Sequence, residues 1–138
     1  MFSVKFVIMK QTLGKEERLK SKKLIEKLYQ DGKVIKSFPL RMVYLQTQHT
    51  SNFPCQVAVS VSKRNFKLAV DRNRIKRLLR ETYRKQKNYV YTSVDVPYIF
   101  MITFIDKKIR DYKDIEHHME NLLKRFTDTI KITLENEH

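Results

Sequence analysis

Acidic residues, cysteine, glycine and proline are all scarce in this sequence of 138 residues. The 15 Asp and Glu residues face 29 Lys and Arg residues, and the resulting net charge of +14 disfavours a metabolic enzyme without a polyanionic partner. The single cysteine, Cys55, excludes an internal disulfide and a zinc site built on cysteines, and it fits a reducing cytoplasm. With only 2 Gly and 3 Pro, and with 41% hydrophobic residues, the chain is neither a linker nor disordered.

Long apolar runs are also missing. The longest, Val96–Ile105, is far shorter than the roughly 20 residues of a membrane-spanning helix. The apolar start, Met1–Met9, is interrupted by Lys5 and lacks a small-residue cleavage site, so we do not interpret it as a signal peptide. We expect no membrane contact. Residues 1–16 are predicted to be a tail, with the true start at Met1 or Met9 left open, and residues 17–134 a single domain.

Apolar residues at helical spacing predict three helices. The first follows Ser21 as N-cap and ends at Asp31-Gly32. The second covers Asp71–Arg84 and is followed by a polar loop to Asp95. The third begins near Asp111 or Asp114 and continues to the C-terminal region.

Four segments carry strand patterns. They lie around Val34-Ile35, at Leu40–Leu45, at Cys55–Ser62 and at Val96–Ile105. In the third strand one face is apolar, whereas the other, with Ala58, Ser60 and Ser62, is small and polar. The order α-β-β-β-α-β-α predicts an α+β fold in two layers, with helices on a small sheet.

The positive charge is concentrated between residues 62 and 87, where eleven basic residues and two acids account for +9 of the total +14. At about 100° per residue, Arg72, Lys76, Arg80 and Arg84 fall within roughly 120° of one helix face, opposite the apolar stripe. Like charges four residues apart disfavour a free helix, and only Glu81, four residues after Arg77, offers relief. A solvated charged face is the simpler alternative, but a bound polyanion explains the one-sidedness better.

The segment Ser60–Arg84, with the sequence SVSKRNFKLAVDRNRIKRLLRETYR, resembles the protein subunit of bacterial ribonuclease P. The motif is Arg72-Asn73-Arg74 followed by Ile75-Lys76-Arg77, with Ala69-Val70 just before it. The resemblance extends from about Glu17 to Phe126. One departure is the turn Asn65–Leu68, which lacks the glycine common in the family and is one residue longer.

This resemblance implies a two-layer sandwich with a left-handed βαβ crossover. It also implies that the protein is part of a cytoplasmic ribonucleoprotein endonuclease. The RNA subunit of that enzyme would remove the 5′ leader of precursor tRNA, with Mg²⁺ bound mainly by the RNA. The protein would bind the leader, support metal-ion binding and stabilise the active RNA, without needing a stable protein partner. The partners are therefore ribonuclease P RNA and precursor tRNA.

Two groups of site residues follow from the charge pattern and the resemblance. The candidate RNA-binding residues are Lys63, Arg64, Lys67, Arg72, Asn73, Arg74, Lys76, Arg77, Arg80 and Arg84. The candidate leader cleft, carried over by position, consists of Ile25, Tyr29, Tyr44, Ser60 and Ser62. The family often has an aromatic residue where this chain has Ile25. Tyr29 and Tyr44 can stack on unpaired bases, but each can equally be a core aromatic.

No catalytic or metal-binding residue is expected on this chain. The carboxylates do not form a nuclease-type pair, and the adjacent His117 and His118 lack the i,i+4 spacing of shared metal ligands. The alternative function is a structural or ribosomal RNA-binding protein without a role in cleavage. A DNA-binding helix-turn-helix is disfavoured because a strand, not a helix, precedes the basic helix.

Overall fold

The computed structural model of the chain describes residues 13–49 and 51–137, with side chains up to residue 132. Three helices and four strands follow the expected order: α1 (Lys22–Asp31), β1 (Lys33–Ser37), β2 (Leu40–Gln46), β3 (Cys55–Val61), α2 (Ala69–Tyr91), β4 (Tyr98–Phe104) and α3 (Tyr112–Glu137). A short 3-10 turn, Lys15–Glu17, precedes α1. Most of the predicted tail, residues 1–12, lies outside the described residues. The described fold itself begins before Glu17, because Leu13 packs against the larger of the two hydrophobic cores described below.

The strands form one sheet in the order β1-β2-β4-β3. β1, β2 and β4 are antiparallel neighbours, whereas β3 is parallel to β4 and connects to it through α2. A βαβ unit is therefore present. The central strand β4 is buried along almost its whole length, as its apolar sequence predicts, because helices cover both faces of the sheet.

Side-chain alternation divides the core in two. Leu40, Met42 and Tyr44 of β2 face α2 and α3 in the larger core. Val43 faces α1 in a smaller core, in which it packs with Leu28. These two faces decide which strand residues a cleft beside α1 can use.

Helix α1 has the predicted ends. Ser21 Oγ accepts a hydrogen bond from the Leu24 N–H at 3.3 Å, and the Gly32 N–H donates to Leu28 O at 2.8 Å. Glycine is required at residue 32, because a Cβ there would collide with Leu28 O and with the Val43 side chain. The chain can therefore turn directly into β1.

Helix α2 is longer than predicted. It ends at Tyr91, and the expected polar loop from residue 85 to 95 is wrong. Its last two turns are helical because Lys87, Val90 and Tyr91 are buried against the rest of the protein. Lys87, one of the eleven basic residues counted between residues 62 and 87, is fully buried.

Candidate nucleic-acid interface

The basic face of α2 is fixed by the packing of the opposite face. Ile75, Leu79 and Tyr83 are fully buried, so the helix cannot rotate about its axis. Arg77 and Arg80 project outwards as a result. Of the predicted RNA-binding residues on this helix, Asn73, Arg74, Arg77 and Arg80 are exposed, and Arg72, Lys76 and Arg84 are partly buried.

Glu81 neutralises Arg84 rather than Arg77. Arg84 Nε donates to Glu81 Oε2 at 2.8 Å and Nη2 donates to Oε1 at 3.1 Å, a bidentate pair. These hydrogen bonds lower the pKa of the Glu81 carboxyl group. Among the described residues Arg77 and Arg80 have no ion-pair partner, so their charges face solvent uncompensated.

The turn before α2 is held by Arg72. Its Nη1 donates to the carbonyl oxygens of Phe66 and Lys67, and the Phe66 side chain is buried against Phe104. Lys63, Arg64 and Lys67 are exposed on this turn. Arg72 therefore shapes the turn that presents three further cations beside the basic face of α2.

The predicted cleft residues on α1 and β3 lie on the same side of the sheet. Ile25 is half-buried in the smaller core with Ala58, whereas Tyr29 is 55% exposed. Ser60 Oγ lies 2.8 Å from Thr103 Oγ1 of β4. The Ser62 hydroxyl follows the end of β3 and accepts a hydrogen bond from the Arg64 N–H.

Tyr44 does not belong to the predicted cleft. It faces the opposite side of the sheet, where its ring packs at 5.1 Å from Phe126 and 6.3 Å from Tyr98 (centroid distances). Burial raises the pKa of its hydroxyl group. The β2 residues on the α1 side are Val43 and Leu45, so Tyr44 cannot stack on a base bound beside α1.

A polar row that is not among the predicted site residues crosses the sheet on the α1 side. The strand register places Lys36, Arg41, Thr103 and Ser60 next to one another across all four strands. The adjacent row of Val43, Met101 and Ala58 is the one that α1 covers. Arg41 Nε is buried without a hydrogen-bond partner among the described residues. The signal was the alternation of β2, which places Arg41 and Tyr44 on different faces.

The described part of the chain offers few features other than its basic surface that could carry a function. It has no group of three or more His, Cys, Asp or Glu residues arranged to hold a metal ion. No described helix is long and apolar enough to span a membrane. Cys55 is fully buried, and this burial raises its pKa, as expected for an inert thiol.

Comparison with known proteins identifies relatives along most of the chain. A family model described as Ribonuclease P matches residues 13–127. The ribonuclease P protein component of Porphyromonas gingivalis is 34% identical over 130 residues, which covers 91% of this chain and 94% of the relative. That of Chlorobium phaeobacteroides is 41% identical over 87 residues, covering 61% of this chain and 60% of the relative.

Solved structures show the same fold. The RNase P protein of Staphylococcus aureus superposes with a TM-score of 0.63 at 21% identity, covering 78% of this chain and 93% of that one. The RNase P protein of Thermotoga maritima gives a TM-score of 0.63 at 19% identity, covering 79% and 96%. The predicted α+β architecture is confirmed by these neighbours.

Proposed function

Since the chain belongs to the ribonuclease P protein family, we propose that it is the protein subunit of a ribonucleoprotein that removes the 5′ leader of precursor tRNA. The RNA subunit carries the catalytic centre, and the protein assists it. The observation that carries this proposal is the one-sided basic face of α2, where Arg77 and Arg80 project from a helix locked by its buried face.

The α2 face and the turn before it bind phosphates of the ribonuclease P RNA. Guanidinium groups match pairs of phosphate oxygens, and clustered cations gain affinity by releasing counterions from RNA. If about 6–8 phosphates are neutralised, affinity falls roughly 10³- to 10⁴-fold between 50 and 200 mM salt.

The leader of precursor tRNA occupies the cleft between α1 and the sheet. Tyr29, more than half exposed, offers a ring for stacking on an unpaired base. Ser60 offers a hydroxyl group, and Arg41 offers a buried N–H that has no partner within the described residues. Tyr44 is not part of this cleft, because it faces the other side of the sheet.

We place Mg²⁺ mainly on the RNA. A metal ion held by the RNA would supply an activated water as the nucleophile for the phosphodiester. This chain contributes cations that neutralise neighbouring phosphates. We also assign the protein to the cytoplasm, where tRNA precursors are processed.

Reconstitution tests the proposal. The chain is mixed with a bacterial ribonuclease P RNA and a precursor tRNA at low Mg²⁺, and 5′ cleavage is measured with and without protein. We expect clear stimulation, lost in the variant R77A/R80A and retained in K33A, which removes an exposed charge from the far edge of the sheet. Tight RNA binding without stimulation favours the alternative, a structural RNA-binding protein.

A further inference from the structure

A buried ionic cluster connects the N-terminal segment to the end of α2. Lys87 Nζ donates to Glu17 Oε1 at 2.5 Å, and the Tyr91 hydroxyl donates to the same oxygen at 2.9 Å. Glu17 Oε2 accepts from the Gly14 N–H at 3.0 Å. The side chains of the ion pair are 0% and 2% exposed. The Lys87 ammonium also lies 5.9 Å from the ring centroid of Phe53.

The cluster holds the segment that follows Gly14 against the edge of the sheet. Arg18 forms a parallel bridge with Val57 of β3, and the Leu19 N–H donates to Val57 O at 2.9 Å. Leu19 itself is buried in the smaller core. Because Glu17 and Leu19 point inwards, Arg18 and Lys20 are directed outwards and are exposed.

Arg18 extends the basic face of α2. It lines one groove with Asn73, Arg77, Arg80 and the Glu81–Arg84 ion pair, and it lines the adjoining groove with Lys20, Ala58 and Arg80. A strip of cations therefore passes from α2 across the N-terminal segment towards the first residues of α1. In the free protein these like charges repel one another, so their convergence matches a chain of phosphates.

Stability alone does not account for the ion pair. Taking two charges out of water is costly, and apolar residues of similar volume often stabilise a fold equally well. What the pair does achieve is a fixed position for the segment, through three hydrogen bonds to one carboxylate.

We propose that Arg18 and Lys20 contact phosphates of the RNA partner, and that Glu17 and Lys87 are positioning residues that hold Arg18 beside Arg80. This inference rests on the proposed function and adds a strip of RNA contacts between the α2 face and the cleft beside α1. Both the loss of the contact and the loss of its positioning are measurable.

The first experiment compares R18A and K20A with K33A, measuring the Kd for a bacterial ribonuclease P RNA over a range of salt concentrations. We expect R18A and K20A each to weaken binding and to lower the slope of log Kd against log salt by about one unit. K33A should leave the slope unchanged. Equal slopes for R18A and K33A overturn the proposal. If the wild-type protein still stimulates cleavage in that case, the proposed function stands and only the role of Arg18 is wrong. If the wild-type protein neither binds the RNA nor stimulates cleavage, the proposed function and this inference are both wrong.

The second experiment tests positioning with the double variant E17Q/K87M. It removes one charge of each sign, so net charge is unchanged and general electrostatics predicts no change in RNA binding. We expect the same loss of slope as in R18A, and no further loss when R18A is added, because both act on one contact. Thermal unfolding confirms that the variant is folded. If the double variant folds and binds like wild type, or if the two effects add fully, the positioning role is wrong.

Discussion

Arg72 Nη1 donates hydrogen bonds to the carbonyl oxygens of Phe66 at 2.8 Å and of Lys67 at 2.9 Å. The first arginine of the Arg72-Asn73-Arg74 motif therefore points back to the turn before α2. This turn, Asn65–Leu68, contains no glycine. The guanidinium holds this turn in place by bonding to its backbone.

Replacing Arg72 should affect the turn as well as RNA binding. Hydrogen bonds to a charged group contribute about 1.5–3 kcal/mol, so we expect R72A to lower the free energy of unfolding by about that amount. R74A, which removes an exposed arginine two residues away, should leave it unchanged. Urea denaturation measures both. If the two variants are equally stable, the turn does not depend on Arg72.

Glu81 reduces the charge available on α2, because its carboxylate binds Arg84 in a bidentate pair. We expect E81Q to strengthen RNA binding and to steepen the salt dependence by about one unit, since the Glu81 carboxylate no longer neutralises the Arg84 guanidinium. R80A should have the opposite effect. The salt dependence of Kd measures both, and a weaker-binding E81Q would mean that the pair itself orients Arg84 towards the RNA.

We expect substitutions of Tyr44 to affect stability and substitutions of Tyr29 to affect binding of the leader. We expect Y44A to lose about 3–5 kcal/mol of unfolding free energy, because its ring fills the core beside Phe126 and Tyr98. Y44F should change little. Y29A should leave stability unchanged and reduce the preference for precursor over mature tRNA, measured with the holoenzyme. A loss of leader preference in Y44F would show that the Tyr44 hydroxyl group does contribute to leader binding.

Lowering the pH should destabilise the ion pairs of the loop after β4. Arg110 Nε donates to Asp106 Oδ2 at 2.8 Å and Nη1 donates to Asp114 Oδ2 at 2.7 Å. These bonds lower the pKa of both carboxyl groups from its usual value. The resulting stabilisation is present above the unfolded-state pKa and is lost as pH falls through the folded-state pKa. We expect R110Q to reduce the loss of unfolding free energy between about pH 5 and pH 3, relative to the exposed control K108Q.

The order of elements could be predicted because each has a local signal. Ser21 and Gly32 delimit α1, and alternation marks β3. The end of α2 could not be predicted, because the polar sequence after Arg84 resembles a loop. What makes it helical is the burial of Lys87 against Glu17, 70 residues away in sequence. No local pattern reveals such a partner.

The cleft illustrates a different limit. A resemblance transferred by position does not by itself show on which face of a strand a side chain lies, and successive residues of a strand point to opposite faces of the sheet. Transfer by position therefore predicts Tyr44 in the cleft, although alternation alone assigns that face to Arg41, Val43 and Leu45. Residue parity along β2, checked against the burial of Leu40 and Met42, would have been sufficient to exclude Tyr44.

Arg41 is the residue that this parity brings into the cleft. Its Nε is buried with no hydrogen-bond partner among the described residues, and it stands between Lys36 and Thr103 in the polar row. A buried N–H without a partner is costly, so a leader phosphate that accepts from it would gain affinity from a group already desolvated.

We therefore expect R41Q to weaken binding of precursor tRNA to the holoenzyme and to leave binding of mature tRNA, which has no leader, unchanged. K36Q should show a smaller effect of the same kind, because the Lys36 side chain is exposed and more fully hydrated. Leaders of increasing length provide the sharpest measurement, since the difference between wild type and R41Q should appear only once the leader reaches the row. A deficit that is equal for precursor and mature tRNA would assign Arg41 to the RNA subunit or to the fold instead.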